Sequence, residues 1–255
     1  MEIGLANNNV RCFPHVINIA VTAGIESLTV TTPEFSAKYP RYAKILEENI
    51  IAKARAVVTA CRTSGQRRAD FRATIEDGNK HGTFKDTLRL LQLLRDVNTR
   101  WSSLYLMIER LLYLYPAVGC FLDQSKQRSI AGIALDSDQL RVLRDIQTFL
   151  QVLHTVQELL SAQNTPTLAF VMPLYESLID MLKALRAKLP GLAPAIMATV
   201  SKLEEYVLNS RKSRIYALAT SECHKSSVTV ICHAYKTFSL APCIKAAMDL
   251  RALDT

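Results

Sequence analysis

Apolar residues recur every three or four positions over long stretches of this chain, and that period puts them on single faces of helices. Leu143, Ile146, Leu150, Leu153, Val156 and Leu160 make one such stripe. Ser137 is placed to cap its start, with Asp136 and Asp138 favourable at the positive end of the helix. A second helix is predicted from about Pro166, capped by Thr165, with a stripe through Val171, Leu174, Leu178, Leu182, Leu185 and Leu189. Pro173 either bends that helix or delays its start, and Gly191 closes it. Pro194 then opens a helix through Ile196, Val200, Leu203 and Val207. Upstream, the spacing of Tyr42, Leu46, Ile50, Ala54 and Val57 predicts one helix from Tyr39 to Cys61, and another runs from Thr99 to Tyr115, where Pro116 stops it. The polar stretch from Thr63 to Thr83 contains glycines and reads as a linker or loop. After Thr220 the stripes end; Val228 to Cys232 reads as a short strand and Ile244 to Leu253 as a short helix. The pattern predicts a mainly α protein, an antiparallel helical bundle with an irregular tail.

Composition sharpens this picture at three points. The 255 residues include only 8 glycines, too few for an all-β protein built on tight turns. The net charge is +8, and it is uneven: residues 1–128 hold 18 Lys/Arg against 12 Asp/Glu, residues 129–255 hold 13 against 11. From Arg41 to Arg72 there are 8 basic and 3 acidic residues, a local excess that suits a polyanion or simply a solvated helix face. No membrane partner is expected, because the most apolar run, Leu111 to Leu122, falls well short of the roughly 20 residues a spanning helix needs. Met1 to Arg11 lacks the apolar centre of a secretory signal, and the six scattered cysteines suit reduced thiols inside a cell.

Several residue groups could carry chemistry. Cys12 and His15 share a helical face, but zinc needs four ligands and no second pair follows at standard spacing, so both are read as buried core residues. Cys223, His224, Cys232 and His233 lack the gap that lets paired ligands converge. Asp136 and Asp138 could form an acid pair, although capping accounts for them with fewer assumptions. No metal or other cofactor is expected.

Four segments carry a family resemblance: RCFPHVINIAV (Arg11 to Val21), RTSGQRRADF (Arg62 to Phe71), DVNTRWSSLYLM (Asp96 to Met107) and, more weakly, PTLAFVMPLYESL (Pro166 to Leu178). In that order the chain resembles hAT-superfamily DNA transposases, especially of the fungal branch, over about residues 9–220. The resemblance implies an RNase H-like α/β fold interrupted by a helical insertion. Residues 1–35 would then be a remnant of the catalytic fold, 36–95 a basic helix and linker, 96–210 the insertion domain and 211–255 a divergent tail. It also implies DNA as partner and the nucleus as location.

Family enzymes cut DNA with three carboxylates holding two divalent ions such as magnesium. Here Glu2 is the only acid before Cys12, and the segment expected to carry the downstream Glu normally bears a tryptophan, whereas Trp101 is the only one in the chain. The expectation is an internal transposase fragment with no catalytic residues. For DNA contact the candidates are Arg62, Arg67, Arg68, Arg72, Arg100 and Trp101. An indole can stack on an unpaired base and guanidinium groups can hold phosphate. Equally, Trp101 can anchor the first insertion helix, with Asp96 and Thr99 as its caps. A competing reading is a helical interaction module that self-associates through the stripes from Leu143 to Leu189 and has no nucleic-acid role.

Overall fold

The computed structural model describes residues 12–97, 100–161 and 168–211. The expected strand and helix in the tail, Cys223, His224, Cys232, His233 and Thr99 lie outside the described residues. The architecture is mainly α, as the periodicity predicts: α1 (Phe13–Ser27), α2 (Pro33–Lys38), α3 (Pro40–Glu47), α4 (Ile50–Arg62), α5 (Gly65–Lys80), α6 (Trp101–Tyr113), α7 (Tyr115–Leu122), α8 (Ser137–Ser161), α9 (Leu168–Lys188) and α10 (Ala193–Arg211). Of the span 1–35 expected to keep α/β character, the described part holds α1 and α2 and no strand. The described residues fall into two compact units, one made of residues 26–147 and the other of residues 12–25 with those from 148 onward.

Three elements of the first unit differ from the sequence reading. The single helix expected from Tyr39 to Cys61 is two helices, because Asn49 adopts the left-handed conformation at φ 54°. Asparagine tolerates that region better than other side chains, and its Oδ1 accepts the Ala52 N–H at 3.0 Å, so one residue ends α3 and caps α4. The stretch from Thr63 to Thr83 is mostly helix: Ser64 caps α5 by accepting the Arg67 N–H at 3.1 Å. Its buried face is only Phe71, Thr74, Ile75 and Gly78, too thin a stripe to stand out in a polar segment. Gly78 belongs there because a methyl group would collide with the Phe84 ring. α6 ends at Tyr113, close to the expected stop, but Pro116 also sits in the first turn of a further helix, α7, which leaves α6 at a bend of 66°. No single helix among the described residues is long and apolar enough to cross a membrane.

Residues 83–97, here called the strap, join α5 to α6 without helix or strand ladder. Backbone groups in such a segment need partners, and neighbouring side chains supply them. Asn79 donates to Leu88 O at 2.7 Å and accepts from Leu88 N at 2.9 Å. The Tyr113 hydroxyl accepts from Arg89 N at 2.9 Å, Arg110 donates to Gln92 O at 3.0 Å and Arg62 donates to Leu93 O. Leu88 and Leu93 are buried beneath it.

Asp136, rather than Ser137, caps α8. Its Oδ1 accepts the Gln139 N–H at 2.8 Å while Gln139 Oε1 accepts the Asp136 N–H at 3.0 Å, a reciprocal capping box. The α8 stripe is buried as expected at Leu143 and Ile146, and, in the second unit, at Leu150, Leu153 and Val156.

In that second unit α9 and α10 form a helical hairpin across a short 3-10 turn, Pro190–Leu192. Leu178, Leu182, Leu185 and Leu189 of α9 face inward with Ile196, Val200, Leu203 and Val207 of α10. Tyr175 is also buried, stacked on Phe13 of α1 at 4.7 Å between ring centres. Gly24 of α1 passes so close to Thr199 of α10 that a side chain there would strike its hydroxyl.

Candidate nucleic-acid interface

The basic cluster predicted from sequence forms around the two-residue turn between α4 and α5. The last carbonyls of a helix lack intrahelical partners, and here arginines from the next helix take them. Arg67 donates to Ala60 O at 3.2 Å and reaches Ser129 Oγ at 3.4 Å; Arg68 donates to Arg62 O at 3.4 Å. Arg62 turns the other way, to the strap carbonyl of Leu93. Arg62 and Arg67 are therefore half-buried and partly structural. Arg68 and Arg72 are exposed, four residues apart on one face of α5, with Arg72 paired to Glu76 at 2.9 Å. Burial, then the nearby charges of Arg95 and Arg68, hold the Arg62 guanidinium below its ordinary pKa. Beside them, Asp70 has its pKa lowered by hydrogen bonds from Gln66 at 2.9 Å and Lys126 at 3.2 Å.

The other candidates lie elsewhere. Arg100 is exposed and begins α6 without a side-chain cap. Trp101 is 6% exposed, packed into the unit, which offers no free indole face for a base to stack on. Asp96 caps nothing. Its Oδ2 receives Arg55 Nε at 2.8 Å and Nη2 at 2.7 Å, tying the end of the strap to α4, while Ser103 bonds the Val97 N–H at 2.8 Å near the start of α6. Cys12 and His15 are exposed, not buried: Phe13, Val16 and Ile17 take the inner face of α1. No three His, Cys, Asp or Glu side chains among the described residues gather to hold a metal ion. Asp136 and Asp138 are engaged with Arg41, and Asp138 also with Arg141 at 3.3 Å. These carboxylates do not fit a two-metal centre. Cys61 is fully buried, its thiol pushed up to about 11 by desolvation, and so a poor nucleophile.

The residues that sequence reasoning missed are Arg55, Asn79, Arg95 and Arg110. None sits in a motif, and their roles come from the path of the strap.

The described residues thus form an all-helical scaffold with a basic junction between α4 and α5. Residues 10–149, more than half of the chain, match the family model of the ZBED1 RNase-like helical domain. The chain belongs to that family, a domain of hAT-related transposase-derived proteins. No curated protein and no solved structure matches it.

Proposed function

We propose that this is a hAT transposase-derived protein of the fungal type that binds the DNA backbone in the nucleus and does not cut it. The observation that carries the reading is the exposed pair Arg68 and Arg72 on one face of α5, in a first half that holds most of the net charge. Guanidinium groups presented along a helix neutralise phosphates and release counterions, giving sequence-independent affinity. The non-catalytic half of the reading is supported by the commitments of the acids: Asp96 to Arg55, Asp70 to Lys126, Asp136 to the α8 cap. Fluorescence anisotropy with a short duplex across a salt series tests it. The double variant Arg68→Gln, Arg72→Gln should bind more weakly and lower the salt slope by about 2, near one per lost phosphate contact. An unchanged slope removes this surface, and no binding by the parent chain at low salt removes the DNA reading.

A second reading, a protein-interaction module, has different support from that expected. The stripes from Leu143 to Leu189 are covered within the chain at every position described except the half-buried Leu174. Exposed apolar side chains occur instead on α6, at Leu106 (39%) and Tyr113 (40%), two turns apart on one face, with Leu90 (49%) on the strap that Tyr113 bonds.

A further inference from the structure

We propose that Arg62, Arg68 and Arg95 form one binding site for a phosphate group, at the junction of α4, α5 and the strap. Three elements bring them together. Arg62 ends α4 and reaches the strap at Leu93, Arg95 follows two residues along the strap, and Arg68 folds back from α5 onto the Arg62 carbonyl at 3.4 Å. Arg95 and Arg68 both stand close enough for their charges to act on Arg62.

Backbone carbonyls hold two of these like charges, Arg62 on Leu93 O and Arg68 on Arg62 O, while Arg95 is carried on the strap that Arg62 bonds. The carboxylates that neighbour the cluster in sequence have partners of their own: Asp96, next to Arg95, takes both contacts from Arg55, and Asp70, two residues after Arg68, takes Lys126 and Gln66. Each guanidinium keeps N–H donors beyond the bonds described, in the planar fork that suits phosphate oxygens. A phosphate would relieve the mutual repulsion and be met by donors from three directions. Arg95 and Arg68 are exposed, so the site is open to a ligand. Sequence alone does not suggest the group, since Arg95 lies more than twenty residues from the other two.

The source of the phosphate rests on the proposed DNA reading, in which it is a backbone phosphodiester; the site itself does not. Two probes separate these. Inorganic phosphate and a short duplex are titrated against the full chain while the arginine side-chain N–H resonances are followed by NMR, and duplex affinity is measured for Arg95→Gln and Arg89→Gln. Arg89 is an exposed arginine on the same strap, outside the cluster. The expected result is that both probes shift Arg62, Arg68 and Arg95 together, and that Arg95→Gln weakens duplex binding several-fold more than Arg89→Gln. Phosphate shifting the three without duplex binding leaves the site standing and overturns the DNA reading. Duplex binding with equal losses from the two variants, and no shared shift, overturns the site and leaves the DNA reading. Absence of both responses overturns both.

Discussion

Asn79 supplies, from a single side chain, the pair of hydrogen bonds a neighbouring strand would give Leu88, at 2.7 and 2.9 Å. The amide donates and accepts at once, which aspartate or alanine cannot do. Asn79→Ala leaves a donor and an acceptor of the strap without partners over the buried Leu88. Such groups cost about 1–3 kcal/mol, so chemical denaturation of the variant should show a loss of that order, and amide exchange at Leu88 should accelerate. An unchanged midpoint would mean that water replaces the side chain at no cost. The same logic separates the arginines. Arg62 and Arg67 are half-buried, bond backbone carbonyls and belong to the fold as well as to any ligand, whereas Arg68, whose bond to the Arg62 carbonyl is long, and Arg72 are exposed and can be changed at smaller structural cost.

Helix boundaries are decided by caps more than by stripes. The α8 stripe was legible because Leu143, Ile146, Leu150, Leu153 and Val156 recur at spacings of three and four, yet its start depends on a reciprocal bond between Asp136 and Gln139, where sequence reading put the cap at Ser137. Asp136→Ala should cost about 0.5–2 kcal/mol, while Ser137→Ala should cost less; thermal melting of the two variants checks the order. The reverse order would return the cap to Ser137. The strap shows the opposite failure. Its leucines at 88, 90, 91, 93 and 94 are good helix formers, but Asn79, Tyr113, Arg110 and Arg62 capture its backbone groups and keep it out of a helix. α5 was missed for a related reason: two apolar side chains, Phe71 and Ile75, anchor sixteen residues, and Phe71 gains its hold by edge-on contact with Phe121 at 5.6 Å.

At the scale of the molecule, the family match at residues 10–149 covers α1 to α7, the strap and the first half of α8. Among the described residues, the apolar stripes that could have served association are covered within the units except at the half-buried Leu174, so a partner surface is sought elsewhere. If the interaction reading holds, sedimentation velocity will show association that rises with concentration and is lost in Leu106→Ser, Tyr113→Ser. A monomer across a wide concentration range counts against self-association through α6.

What the sequence determined by itself is the helical class, the inward faces of α4, α8, α9 and α10, and the family, because period and motif order are local properties of the chain. Tertiary structure alone decided that Trp101 is buried, that Cys12 and His15 are exposed, that Asp96 holds Arg55, and that Arg95 joins Arg62 and Arg68. These outcomes depend on which residues distant in the chain come to share a burial site or a charge. Helical periodicity says which side of a helix turns inward, and is silent about what waits there.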